Sequence, residues 1–153
     1  MVEQFVEDYP TSPKQNQAYI EVAHYYFDQG NYPKSIEWFD KASTSSMSQA
    51  DLERYNFQKG YAYFTIKNTK ESKKYLNKVV NSQTYGSQAK YYLGYMSYET
   101  DDYNSANQYF DQVSDQDKYK EKMGYFQADM NFKLGNFQKA IDLGLEQLPK
   151  SRG

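Results

Sequence analysis

The chain has 153 residues, 18 basic against 20 acidic side chains, one histidine and no cysteine. Near-neutral charge without a like-charged block argues against a nucleic-acid surface, and the lack of cysteine excludes disulfides and thiolate zinc sites. No segment approaches about 18 consecutive apolar residues, so no membrane insertion is expected, and Met1-Val2-Glu3-Gln4 does not read as a signal peptide.

Hydrophobic residues make up only 39% of the chain, yet 18 Tyr and 9 Phe bring aromatics to 18%. A tyrosine ring can be buried while its hydroxyl stays wet, so a core of aromatics and alanines is expected despite the polar average.

In chain order, Met1 to Tyr9 reads as the last turns of a second helix, and Pro10-Thr11-Ser12 as the break after it. A leading helix follows from about Asn16, with Tyr19, Val22, Ala23, Tyr26 and Phe27 at helical spacing. The turn Gln29-Gly30-Asn31 ends it. A second helix starts at Pro33 and carries Ile36, Phe39 and Ala42. Ser43 to Ser48 is a longer loop. The next pair runs through Tyr55, Phe57, Gly60, Tyr63 and Phe64, then Tyr75, Leu76, Val79 and Val80, with Lys67-Asn68 between. A third pair places Ala89, Leu93, Gly94 and Tyr98 before Asp101-Asp102, and Ala106, Phe110 and Val113 after it. A fourth has Tyr125, Ala128 and Phe132, the turn Leu134-Gly135-Asn136, then Ala140, Ile141, Leu145 and Leu148, closing at Pro149-Lys150-Ser151. Lacking glycine, the second and third turns are expected to place Asn68 and Asp102 in the left-handed region.

Ala23, Gly60, Gly94 and Ala128 recur at spacings of 37, 34 and 34, so only the first repeat carries three extra residues. Ser35, Ser72, Ala106 and Ala140 each follow twelve places later. Paired small residues of this kind let two helices of one hairpin approach closely. The repeats read as 16–52, 53–86, 87–120 and 121–153, after the end of a preceding repeat in 1–15, all within one domain. Pro10 and Pro149 lie 139 residues apart, four periods of 34 plus the insertion, and neither end shows a polar capping helix, so the array is expected to continue beyond both ends.

A 34-residue helical period resembles the tetratricopeptide repeat family over nearly the whole chain. The segment from Gln29 to Ala42 is similar to the family's second-helix pattern, and Leu93-Gly94-Tyr95 with Asp102-Tyr103 and Ala106 is a second match. The resemblance implies an all-α, right-handed α-solenoid of helix-turn-helix repeats. The run from Tyr9 to Pro13 resembles repeats of bacterial cell-envelope proteins, which implies a periplasmic or envelope location, with cytoplasm open. Lys59 and Gln127 depart from the family, which prefers a large apolar residue there. Gly144 stands where Phe39, Leu76 and Phe110 sit, so the fourth repeat is expected to pack least tightly.

In such arrays the leading helices line the concave surface. The repeat register puts Ile20, His24 and Phe27, then Phe57, Tyr61 and Phe64, then Tyr91, Tyr95 and Tyr98, then Tyr125, Asp129 and Phe132 on that face. The third member of each set can equally be core. Ile20, His24, Phe57, Tyr61, Tyr91, Tyr95, Tyr125 and Asp129 are the candidate groove, with Arg54 and Lys122 at its edge. An aromatic trough suits an extended or helical peptide of apolar or proline-rich character. Too few basic residues face it for capture of a C-terminal carboxylate.

No catalytic constellation emerges: there is no His–Ser or His–Cys pairing, phosphate loop or GK[ST] sequence. Asp101-Asp102 reads as a turn and helix cap rather than paired catalytic carboxylates. Glu21 and Asp28 near His24 read as a solvated edge rather than a metal site. The expected function is a non-catalytic protein-protein interaction scaffold without cofactor or metal. The alternative is a spacer or assembly module, stacking with flanking repeats or self-associating through uncapped terminal helices.

Overall fold

Short polar side chains begin most of the helices. In the computed structural model Ser12, Asn31, Ser48, Asn68 and Asp102 each accept a hydrogen bond from the backbone N–H three residues on, at 3.1–3.3 Å. Each thereby satisfies one donor that a helix start leaves open. The structure describes residues 12–152, apart from the side chains of 117, 121 and 145–152. The reading of Met1 to Tyr9 as a helix end lies outside the described residues, as do Tyr9, Pro10 and Thr11 and the side chains of Leu145 and Leu148.

Eight α-helices follow among the described residues: α1 Pro13–Asp28, α2 Tyr32–Lys41, α3 Gln49–Thr65, α4 Thr69–Leu76, α5 Gly86–Glu99, α6 Tyr103–Asp111, α7 Asp117–Lys133 and α8 Phe137–Arg152. The helix α4 tightens into a 3₁₀ turn at Asn77–Val79 that buries Val79, so this second helix is shorter than expected. The last helix instead runs past the expected stop at Pro149.

The chain divides into two compact units at Tyr85 and Gly86. In the N-terminal unit α1 pairs with α2, and α3 with α4. In the C-terminal unit α5 pairs with α6, and α7 with α8.

The small residues perform the close approach expected of them. Ser35 and Ser72 donate their hydroxyls to the carbonyls of Ala23 and Gly60, at 2.9 and 2.8 Å. A Cβ on Gly60 would stand 2.8 Å from Leu76, and one on Gly94 2.6 Å from the Phe110 ring. Phe39, Leu76 and Phe110 are fully buried, whereas a Cβ on Gly144 would meet open space. The loop insertion is pinned by Asn16, whose side-chain amide donates to the Ser43 carbonyl at 2.8 Å.

All four hairpin turns close alike. The N–H groups of Asn31, Asn68, Asp102 and Asn136 reach back to the carbonyls of Tyr26, Tyr63, Ser97 and Asn131, at 2.7–2.9 Å. This six-residue closure places the residue before each in the left-handed region. Gly30 and Gly135 adopt it at φ 77° and 84°, but so do Lys67 at 65° and Asp101 at 63°. The expectation of Asn68 and Asp102 there is corrected by one residue. Those two are helix caps, and the strain falls on the residue before each.

Candidate binding faces

In the N-terminal unit, α1 and α3 bring Ile20, His24 and Arg54 together around a cleft of about 270 Å³, with Glu21, Met47 and Asp51 also on its walls. His24 is half-buried and its Nδ1 lies 2.5 Å from the Gln58 carbonyl oxygen. An amide oxygen only accepts, so Nδ1 carries the proton and Nε2 is the acceptor of the neutral ring. Burial lowers the His24 pKa; the bond to Gln58 opposes this and the Arg54 guanidinium adds to it.

Phe57 sits deeper than its register position suggested. It is 7% exposed, stacked on Tyr85 at 4.8 Å and on Tyr61 at 6.2 Å. Tyr61 is half-buried and lies edge-on to Phe27 and Tyr32, at 5.7 and 5.8 Å, with Phe64 at 6.1 Å. Such edge-on pairs add to burial through the ring quadrupole. Much of this aromatic surface therefore holds neighbouring repeats together, and Tyr61 keeps part of its ring at the surface.

The C-terminal unit arranges its members differently. Tyr91 stacks on Tyr119 at 5.4 Å, and Tyr95 meets Phe126 at 5.4 Å; both are half-buried. Asp129 accepts from the Tyr98 hydroxyl at 2.7 Å and pairs with Lys133 at 2.9 Å. The hydrogen bond from Lys133, then that from Tyr98, holds the Asp129 carboxyl below the usual range. Tyr125 is 61% exposed, and Lys122, like Arg54, is exposed. Phe132 is exposed too, unlike its equivalents Phe27, Phe64 and Tyr98.

The two departures from the repeat pattern form a matched pair. The Lys59 ammonium lies 2.6 Å from Asp40, 2.9 Å from the Tyr55 hydroxyl and over the Tyr75 ring at 4.6 Å. Burial opposes its charge, but hydrogen bonds to Asp40, Tyr55 and Tyr75 outweigh it and raise its pKa. Gln127 in the C-terminal unit donates to Asp111 at 2.9 Å. The offsets are 19 and 16 residues, and the loop insertion accounts for the three-residue difference. That shared register was the signal in the sequence for both contacts.

Among the described residues no three His, Asp or Glu side chains converge as a metal site would require, and no helix is long and apolar enough to cross a membrane.

Comparison with known proteins gives a family match over part of the chain. A tetratricopeptide repeat model matches residues 17–46 and 53–84. A solved structure of MamA AMB-1 is similar in fold, with a TM-score of 0.72 at 14% sequence identity, over 86% of this chain and 70% of that one. No curated protein matches the chain in sequence. Residues 17–46 and 53–84 thus match tetratricopeptide repeats, and the chain has an all-α, helical-repeat solenoid fold.

Proposed function

We propose that this chain is a non-catalytic protein-interaction scaffold that holds a peptide segment of its partner on its leading helices. The observation that carries this reading is the cleft between α1 and α3. There an apolar side chain, Ile20, stands beside the half-buried His24, a neutral imidazole at physiological pH, and the exposed cation of Arg54. A cleft in which Ile20 and Met47 stand among polar and charged side chains suits one or two side chains of an extended peptide. Tyr61 in the same unit, and Tyr91, Tyr95, Tyr125 and Asp129 in the other, offer further area with few rotors to freeze. Lys122 stands at the edge as Arg54 does. Phe57 supports Tyr61 from beneath rather than meeting the ligand.

Peptides selected from a displayed random library against the purified chain test this. Those retrieved are expected to bind at least tenfold more weakly to His24→Ala and to Arg54→Glu, a loss of about 1.4 kcal/mol. Both side chains lie at the cleft, so helicity is expected to stay unchanged. Selected peptides that bind both variants as tightly as the parent chain would sink the reading.

A further inference from the structure

Between Lys67 and Lys78 the chain carries five lysines and a single carboxylate, Glu71. The sequence spaces these lysines out, and the fold gathers them. Lys70, Lys74 and Lys78 stand four residues apart on α4 and the 3₁₀ turn that continues it, so they share one side. All three are exposed, as is Lys67 in the turn before α4. Among the described residues none of the four takes part in an ion pair. Tyr75 holds two of them in place. The ammonium groups of Lys74 and Lys78 lie 5.4 and 5.3 Å from its ring centre, and Tyr63 stacks on that ring at 5.9 Å and 12°.

The repeat itself does not ask for this stripe. The same three positions are Pro33, Glu37 and Lys41 in the first repeat and Asn104, Gln108 and Gln112 in the third. In the fourth they are Gln138, Asp142 and Glu146. Like charges four apart on a helix repel one another. The helix dipole favours cations near the C-terminal end of α4, but it disfavours Lys70 in the first turn. This load falls on a helix of only eight residues. A row of unpaired cations that the fold neither requires nor neutralises is a surface for anions.

We propose that the α4 stripe binds an acidic segment of a partner protein, its carboxylates seated on Lys70, Lys74 and Lys78. Residues four apart on a helix are separated by a rise of about 6 Å. Alternate side chains of an extended chain point the same way at about 6.6 Å, so carboxylates at every second residue meet the lysines in step. The stripe is one helix wide. Glu71 lies within it on α4, and α2 in the same unit exposes Glu37 and Asp40. A membrane surface or a nucleic-acid duplex laid across the unit would meet those carboxylates, whereas a single acidic strand follows the lysines alone. This goes beyond peptide capture between α1 and α3 and does not depend on it.

Titration of the isotope-labelled chain with a peptide of about nine residues alternating glutamate and serine, long enough to span the stripe, tests the proposal by amide chemical shifts. The shifts are expected to centre on residues 67–78, to fade as ionic strength rises from about 0.02 to about 0.2 M, and to vanish when glutamine replaces glutamate in the peptide. The triple variant Lys70→Asn/Lys74→Gln/Lys78→Gln carries the side chains of the third repeat. Its circular dichroism should match the parent, and its affinity for the peptide should fall about tenfold or more. Lys14→Gln/Lys34→Gln/Lys118→Gln removes the same charge from exposed positions elsewhere and should change the affinity by no more than about twofold. Equal losses in both triple variants, or shifts spread over other helices, would overturn the proposal. So would tighter binding of the stripe to phosphatidylglycerol vesicles or to a DNA duplex than to the peptide.

Discussion

Replacing Asp40 by Ala leaves the Lys59 ammonium buried beside two tyrosine rings with its carboxylate gone. The side chain of Lys59 is 4% exposed and that of Asp40 55%, at 2.6 Å. Exposed ion pairs contribute at most about 1 kcal/mol, and removing one partner of a fully buried pair costs about 3–5 kcal/mol. This pair stands between the two cases, because water reaches the carboxylate but barely reaches the ammonium. The Tyr55 hydroxyl and the faces of Tyr55 and Tyr75 still hold the cation. A cost of about 2 kcal/mol is therefore expected, or about 4–8 °C in Tm for a chain of this size.

Lys59→Met is expected to behave in the opposite way. It keeps most of the stem and removes the charge, and Asp40 can turn to water. The loss of a hydrogen bond and of the cation–ring attraction is offset by thioether contact with the same rings. Its stability should lie within about 1 kcal/mol of the parent, and Asp40→Ala should then add little on top of it. The Lys59 pKa is raised in the fold, so its contribution is fully present below the unfolded value of about 10.4 and is lost only as pH rises beyond it. The deficit of Asp40→Ala should accordingly be the same at about pH 6 and about pH 9. Urea unfolding followed by circular dichroism measures all three variants. If Asp40→Ala is neutral, or Lys59→Met costs as much as Asp40→Ala, the reasoning is wrong.

Four further outcomes are expected. Lys67→Gly and Asp101→Gly relieve left-handed backbone at φ 65° and 63°, and each should raise the urea midpoint by an amount worth about 0.5–1 kcal/mol. Gly94→Ala should destabilise by about 1–3 kcal/mol, since its Cβ would stand 2.6 Å from the buried Phe110 ring. Gly144→Ala, with open space around its Cβ, should instead stabilise by up to about 1 kcal/mol in thermal melts. The His24 pKa is lowered chiefly by burial, so the unfolded chain binds the proton more readily and stability falls as pH drops below about 6.5. His24→Gln should flatten that fall between about pH 7 and about pH 5.5, as read from urea midpoints at each pH.

The period, the helix caps and the small-residue pairs were legible because each is a local requirement met by a particular residue type. Ser or Asn caps a helix, and only a small side chain fits where Phe110 lies against Gly94. The left-handed turn residues were not legible at Lys67, which has no bias toward that conformation, nor at Asp101, because its neighbour Asp102 tolerates the conformation equally well. The closing hydrogen bond imposes it, and the bond belongs to the hairpin. Phe57 was misplaced for a similar reason. Its register put it on the groove face, but Tyr85, which lies outside every helix, stacks over it. His24 and Arg54, 30 residues apart in sequence, line one cleft. Open space at Gly144 follows from its standing where Phe39 and Phe110 stand in earlier repeats, whereas the exposure of Phe132 and Phe137 emerges only in the fold.

Lys59 and Gln127 raise a question that stability alone does not answer. A large apolar residue at either position would bury more area, yet each unit places there a polar group that reaches back to an aspartate. The aspartate follows the buried ring in both cases, Phe39 before Asp40 and Phe110 before Asp111. An apolar contact tolerates sliding, because one methylene replaces another at little cost. A directional bond does not: slipping one helix past its neighbour leaves a buried donor without its acceptor, at about 1–3 kcal/mol. The polar pair thus fixes the register between adjacent repeats while adding little net stability, the best-attested use of buried polar groups. Lys59→Met should then keep its unfolding free energy and still exchange the amides of α2 and α3 faster through local motion. Lys59→Gln, which copies the C-terminal unit, should restore slow exchange if its amide reaches Asp40 as Gln127 reaches Asp111. Exchange in Lys59→Met as slow as in the parent chain would show that packing alone sets the register.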